Sequence, residues 1–252
     1  MEHRELIAAI AAEGARLAAL PADALDRPVP TCPDWRVEDL VGHVGRVHRW
    51  AARHLAAAPH EPERGSRGGP PAGAAVLPWY RESLDVLLAE LDHHDPEEPV
   101  QSFVGPVTAA FWARRQAHEL AVHRWDAEAA LPDPAPEPIA APLAADGVDE
   151  WLSLFVPRFL ARREEPIPAP LVGATVHLHG TDQDQAEPAE WLLRVTADGA
   201  EIERAHAKGD AALRGPASDL LLAVWHRVPL DRLDVVGDAA RAQAVLDLVQ
   251  VS

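Results

Sequence analysis

The chain is poor in lysine and cysteine, and each shortage excludes a class of protein. Lys208 is the only lysine, and acidic residues outnumber basic ones so that the formal net charge is -17. Nucleic acids and anionic membrane surfaces both select clustered positive charge, so we expect neither as a partner. Cys32 is the only cysteine, which excludes an intrachain disulfide and fits a reducing compartment.

Long apolar runs are also missing. No stretch is long and apolar enough to span a bilayer, and charges interrupt the apolar pattern of residues 1–20, unlike a signal peptide. We therefore expect a cytoplasmic protein. At 252 residues, of which 48% are hydrophobic, the chain can fill one large core or two smaller ones.

The first two thirds of the chain carry a helical apolar period. Helices are predicted over residues 6–20, 34–58, 77–91, 107–130 and 148–163. Loops rich in Gly and Pro separate them, at 58–75 and in two Pro-rich connectors at 131–142 and 164–170. The pattern is typical of a helical bundle, whose interior can build a metal site from facing side chains.

Beyond the second connector the apolar period changes to two, which is typical of strands. Strands are predicted over 172–179, 191–196, 200–205, 211–214 and 233–236, and helices over 216–227 and 239–249. The predicted fold class is α+β: a metal-binding four-helix bundle over 1–165, then a small α+β domain over 170–252.

The most informative stretch is residues 114–126, which read RRQAHELAVHRWD. Glu119 and His123 are four residues apart, so they lie on one helical face, and Asp126 follows three residues later. The stretch resembles the zinc-protease pattern H-E-x-x-H but has one residue too many. Because that pattern needs its histidines at i and i+4, His118 points away and a peptidase is not supported.

A third metal ligand is offered by His43 in the predicted second helix. His43, Val47 and Trp50 recur at i, i+4 and i+7, which puts His43 on the apolar stripe. With Glu119 and His123 it makes an open three-ligand set of the kind found in catalytic zinc sites. The ordinary alternatives are a surface ion pair for Glu119 and His123, and a hydrogen-bonded core imidazole for His43.

Other polar and aromatic residues have simpler explanations. His177 and His179 alternate on a predicted strand and so share a face, where a second metal site is a further alternative. Trp35 and Trp50 fall within helical patterns and are predicted to be core residues. Cys32 is interpreted as a small buried side chain.

Two segments resemble a known family. Residues 32–43 read CPDWRVEDLVGH and resemble the family pattern c-p-x-W-x-v-x-d-L-v-x-H, while 114–126 resembles R-R-x-x-H-E-x-x-x-H-R-W-D. Both patterns belong to the mycothiol-dependent maleylpyruvate isomerase family, within the DinB-like metal-binding four-helix bundles. Residues 215–227 and 233–238 resemble that family's C-terminal domain, which is similar to sterol-carrier proteins.

The resemblance implies a ligand set and cofactors. His43, Glu119 and His123 would hold the metal, with zinc expected and another divalent metal as the alternative, and mycothiol would be the thiol cofactor. Asp126 would lie near the site, orienting His123 through its other ring nitrogen or meeting the thiol. Its ordinary alternative is a salt bridge with a neighbouring arginine.

The resemblance also implies a role for Arg227, which matches the arginine of the family pattern l-W-x-R. Its guanidinium would bind a substrate carboxylate through two parallel hydrogen bonds. His226 stands where the family pattern has a small residue, which is a departure from it.

The expected chemistry is attack by a metal-activated thiolate on a small electrophilic substrate, by isomerisation or by S-transfer. One alternative is a non-catalytic protein with a structural metal, whose C-terminal domain binds an apolar ligand or a protein. Another is non-haem iron chemistry, since two histidines and a carboxylate also suit Fe(II). We expect a monomer or homodimer.

Overall fold

The computed structural model describes residues 1–57, 69–182 and 189–249. The chain divides into two compact units, Met1–Glu137 and Pro138–Ser252.

The first unit is a bundle of four helices. They are α1 (His3–Ala18), α2 (Val37–Ala56), α3 (Val76–His93) and α4 (Ala109–Ala129). Helix α1 packs most extensively on α4 and α2 on α3, around fully buried aromatic and aliphatic side chains such as Trp112 and Leu87. The predicted loop over 58–75 lies outside the described residues up to position 68, and Gly73–Ala75 forms a 3-10 turn.

Two short hairpins stand where helix or loop was predicted. The first pairs β1 (Pro28–Val29) with β2 (Cys32–Arg36), and the second pairs β3 (Pro99–Ser102) with β4 (Gly105–Thr108). Each ends directly before α2 or α4, so both helices begin two or three residues later than predicted. The backbone N–H of Val37 donates to Arg27 O, which fixes the first hairpin against the start of α2.

The division between the units differs from the predicted boundary near 165–170, since it falls in the first Pro-rich connector. The helical segment after it consists of α5 (Ala141–Glu150), a π-helical turn (Trp151–Phe155) and α6 (Val156–Ala161). Pro142 stands in the first turn of α5, where a missing N–H costs nothing. The segment belongs to the second unit because its apolar side packs on α7 (Ala217–Val224).

The second unit contains a five-stranded sheet in the order β7-β6-β5-β8-β9. Its strands are β5 (Thr175–Gly180), β6 (Glu190–Val195), β7 (Ala200–Glu203), β8 (Ala211–Gly215) and β9 (Asp234–Gly237). Strands β5 and β8 are parallel and the other neighbours antiparallel. Helices α7 and α8 (Ala239–Leu246) both contact the central strands β5 and β8. The predicted α+β fold class is confirmed.

Alternation of side chains along β5 and β6 separates an apolar face of the sheet from a polar one. Leu178 opposes Trp191 across β5 and β6, and both are fully buried. The opposite face carries His177, His179 and Glu190. Within the three described ranges, no helix combines the length and apolar character needed to cross a membrane.

Candidate metal centre

Helices α2 and α4 bring the three predicted ligands together. His43 lies two turns into α2, and Glu119 and His123 stand one turn apart in the middle of α4. The His43 and His123 rings meet nearly edge to face, with their centroids 5.2 Å apart. The two side chains are therefore adjacent although 80 residues separate them.

Two of the distances between the ligand atoms match those of a tetrahedral zinc site. His43 Nε2 and His123 Nε2 lie 3.3 and 3.4 Å from the same oxygen, Glu119 Oε1. Ligands at 2.0–2.1 Å from zinc on the corners of a tetrahedron are about 3.3 Å apart. The donor set of two neutral imidazoles and one carboxylate also suits zinc. All three ligand atoms lie within 4.8 Å of one another, so the set could hold a metal ion.

The second oxygen of Glu119 is engaged by an arginine. Arg115, one turn earlier on α4 and nearly fully buried, donates from Nη2 to Glu119 Oε2 in a short hydrogen bond. Burial by itself would raise the pKa of Glu119, but the charge of Arg115 and the bonds with His123 and His43 hold it well below its usual range. Glu119 is therefore a carboxylate at neutral pH, with Oε1 directed at the two imidazoles.

Asp126 holds the other ring nitrogen of His123. Its Oδ2 lies 3.0 Å from His123 Nδ1, and its Oδ1 accepts a 2.6 Å hydrogen bond from Thr31 Oγ1. Burial disfavours the imidazolium, but the bonds with Asp126 and Glu119 outweigh it and raise the pKa of His123 to about 9. A proton thus occupies His123 at neutral pH when no cation replaces it. Arg124, the neighbouring arginine, pairs with Glu13 and Glu128.

Trp35 forms one wall of the centre, which the sequence analysis missed. It lies on β2 rather than in a helix, and its ring centroid is 4.7 Å from that of His43 and 6.0 Å from that of His123. The residue is half-buried rather than core. The signal was present in the family pattern, where this tryptophan precedes the histidine by eight residues.

Three further histidines of the bundle, His48, His54 and His118, are buried outside this ligand set. His48 is fully buried, and its Nδ1 lies 2.8 Å from Gln116 Oε1. Burial lowers the pKa of His48 to about 4, so it stays neutral. His118 is buried as well and is not among the clustered ligands, as its spacing predicted.

An open cavity adjoins His43 on the outer side of α2. Its volume is about 370 Å³, and it is lined by His43, Arg46, Val47, Arg49, Trp50, Arg53 and Trp79. The predicted stripe of His43, Val47 and Trp50 is half-buried and lines this cavity, while the Trp50 ring also packs edge to face on fully buried Trp112. The guanidinium of Arg49 stacks over the Trp79 ring at 5.0 Å and donates from Nε to Ser83 Oγ at 2.6 Å.

Arg227 lies in the second unit, just after α7. It is half-buried, and its Nη1 donates to Trp225 O at 2.8 Å. His226 beside it has a left-handed backbone, with φ 57°. A small residue, glycine above all, is favoured at such a position, which explains why the family pattern has one there.

Comparisons with known proteins follow the same division of the chain. Two solved structures share the fold: one described as a mycothiol-dependent maleylpyruvate isomerase and one as a histidine-to-alanine mutant of such an isomerase. They are 12% and 11% identical to this chain, each with a TM-score of 0.64 and 95% coverage of both chains. A structure described as "UbiJ-SCP2 Ubiquinone synthesis protein" covers 45% of this chain and 93% of its own, at 19% identity and a TM-score of 0.27, too low to support an argument.

Family models match both units. No sequence among the curated proteins is significantly similar to the chain. The model of the mycothiol maleylpyruvate isomerase N-terminal domain matches residues 6–128, and the model of the C-terminal domain of the same family matches residues 142–244. Together they span nearly the whole chain, and the chain belongs to the mycothiol maleylpyruvate isomerase family.

Proposed function

We propose that the chain is a mycothiol-dependent enzyme. It uses a divalent metal ion, with zinc as the first candidate, to activate a thiol for attack on a small electrophilic anion. The observation that carries the proposal is the convergence of His43 Nε2 and His123 Nε2 on Glu119 Oε1 at zinc-ligand spacing. Three protein ligands leave a fourth position open, which is the pattern of catalytic rather than structural zinc.

A divalent ion held by His43, Glu119 and His123 would lower the pKa of a bound thiol, which would make the nucleophilic thiolate available at neutral pH. The protein's contribution is orientation. Asp126 fixes the tautomer of His123 by accepting from Nδ1, and Arg115 turns Glu119 so that one oxygen faces the imidazoles. Trp35 packs against the two rings. Asp126 is thus a positioning residue, since it is fully buried.

The reaction class follows from the nucleophile. In an isomerisation the thiol would supply the nucleophile for a reversible addition to the conjugated double bond of the substrate. That addition would permit rotation about the bond with no net change in composition. In an S-transfer the new carbon–sulfur bond remains. Maleylpyruvate is the substrate named for the similar structures, and it is the first candidate here.

The cavity beside His43 supports an anionic substrate. Arg46, Arg49 and Arg53 line it on one side of α2, in a chain whose formal net charge is -17. Guanidinium groups bind carboxylates with two parallel hydrogen bonds, and a local positive cleft raises the encounter rate of anions. A keto acid therefore fits this cavity better than a neutral electrophile.

The test combines metal analysis with turnover. We expect one metal equivalent per chain in this centre and mycothiol-dependent conversion of maleylpyruvate or a related unsaturated keto acid. His43→Ala should lose both tight metal retention at this centre and turnover, while His93→Ala, an exposed histidine on α3, should change neither. The methyl ester or amide of the same keto acid should have a KM at least tenfold higher.

Three outcomes would contradict the proposal. Wild-type metal retention in the His43→Ala protein would reject the ligand set. Stoichiometric iron with oxygen-dependent turnover would replace thiol chemistry with non-haem iron chemistry. Metal binding without turnover across a panel of electrophiles would favour the non-catalytic alternative, in which the metal is structural and the C-terminal domain binds a ligand or partner.

A further inference from the structure

A second cluster of metal-ligating side chains lies on the polar face of the C-terminal sheet. His177 and His179 project from this face of β5, and Glu190 on β6 stands directly across from His179. His206, in the segment between β7 and β8, joins them above the sheet. All four residues belong to the second unit, so the cluster is complete within it.

The three histidine side chains converge on the carboxylate of Glu190. His177 Nε2 lies 3.0 Å and His206 Nδ1 2.5 Å from Glu190 Oε2, while His179 Nε2 lies 3.6 Å from Oε1. The His177 and His206 rings are perpendicular, with centroids 5.6 Å apart. One ligand atom each from His177, Glu190 and His206 lies within 4.8 Å of the others. Small movements would bring them to the separation of about 3.3 Å that tetrahedral zinc ligands have.

The segment that carries His206 is held against the sheet by its backbone. Gly209 passes so close to β5 that a Cβ there would lie 3.0 Å from Thr175 O and 3.1 Å from His177 N. The next residue, Asp210, accepts hydrogen bonds from Thr175 N and Thr175 Oγ1 at 2.8 and 3.0 Å. Because this anchor is only four residues from His206, that imidazole is delivered to the cluster by the fold.

The charges of the clustered side chains favour a bound cation. His177 is 5% exposed, and burial lowers its pKa, so the neutral, ligating form is present at neutral pH. Although burial opposes it, the hydrogen bond with His206 and the nearby imidazoles lower the pKa of Glu190. The carboxylate of Glu190 supplies a negative charge to which a divalent cation would be attracted.

We propose that His177, His179, Glu190 and His206 form a second metal site, specific for a transition-series divalent ion such as Zn²⁺. Imidazole-rich sets select Zn²⁺, Ni²⁺ or Cu²⁺, whereas Ca²⁺ and Mg²⁺ require oxygen ligands. Four protein ligands close the coordination sphere, which is the structural type of site. The ion would tie the segment between β7 and β8 to strands β5 and β6, and the site is independent of the centre at His43.

Metal titration of the full-length, metal-free chain tests the proposal with Zn²⁺ and with Co²⁺, whose visible spectrum reports coordination geometry. We expect two equivalents for the wild type. His206→Ala should weaken binding of one equivalent at least tenfold and leave mycothiol-dependent turnover intact. His206 is largely exposed, so this variant should fold. His43→Ala should lose the other equivalent, and His93→Ala should bind both like the wild type.

This design tests the two proposed metal sites separately. A wild type that binds one equivalent, lost in His43→Ala, would overturn the second site and leave the proposed function in place. Unchanged affinity in both His206→Ala and Glu190→Gln would also overturn it, showing that the cluster is only a set of hydrogen bonds. One equivalent retained in His43→Ala and lost in the His43→Ala/His206→Ala double variant would support it.

Discussion

At the scale of single residues, the candidate metal centre depends on side chains that are not themselves candidate ligands. Asp126 and Arg115 each engage the far side of a candidate ligand, and Thr31 in turn donates to Asp126. Such partners fix the orientation of the ligands and tune their basicity. Spacing on α4 pointed to Asp126, but nothing in the sequence indicated Thr31, which arrives from 95 residues earlier.

Asp126→Asn should weaken metal binding without removing the site. The amide lacks the charge that favours donation from His123 Nδ1, so we expect metal affinity to fall by roughly 10–100-fold at unchanged stoichiometry. Competition with a chromophoric chelator measures the affinity. Thr31→Val, which removes a hydrogen bond to Asp126 but keeps the carboxylate, should lower the metal affinity by a smaller factor. Equal affinities for Asp126→Asn and the wild type would show that Asp126 does not act through His123.

At the scale of elements, the structure differs from the prediction at helix ends and hairpins more than in helix interiors. The end of α7 is a Schellman motif: Arg227 N–H donates to Leu222 O and His226 N–H to Ala223 O, at 2.8 and 3.0 Å. The motif needs a left-handed residue, and His226 supplies it at φ 57°. The prediction of a helix over 216–227 therefore overran, because periodicity does not mark where the backbone reverses.

His226→Gly should relieve the backbone strain at the end of α7. A left-handed non-glycine residue costs about 1–2 kcal/mol, and the extra unfolded-state entropy of glycine offsets about 0.4–1 kcal/mol of that gain. His226→Gly and His226→Ala both lose the bond from the ring to Val249 O, but only the alanine variant keeps the strain. We therefore expect the glycine variant to be more stable than the alanine variant by about 0.5–1 kcal/mol, seen as a higher midpoint in urea denaturation. A glycine variant less stable than the alanine variant would contradict this account.

At the scale of the whole molecule, metal binding to the bundle is coupled to the protonation of His123. Without a cation, His123 carries a proton between two carboxylates, and its pKa is raised to about 9 although burial opposes this. A raised pKa contributes stability that is complete below the ordinary histidine value of about 6.5 and is lost as the pH rises through the folded value. A bound cation replaces that proton, so metal binding releases it.

Stability and metal binding should therefore have opposite pH dependences. From about pH 6.5 to 8.5, the melting temperature of the metal-free chain should fall, while the increase on adding Zn²⁺ should grow because fewer protons compete. Saturation at 1,000 times Kd would add about 4 kcal/mol. Thermal denaturation at three pH values, with and without metal, measures both trends. His43→Ala should abolish the metal-dependent increase assigned to this centre; an increase of the same size at every pH would contradict the coupling.

The sequence by itself determined the fold class, the family and the three converging side chains, because helical and strand periods and two motifs are local patterns. Only the tertiary structure decided that Trp35 covers the centre, that arginines line a cavity beside it, and that His206 and Glu190 join the paired histidines of β5. Those residues are distant in sequence, and their contacts depend on hairpin register and on where each helix begins. The division at Glu137 and Pro138 likewise depends on α5 packing against α7, which composition at the two Pro-rich connectors cannot distinguish.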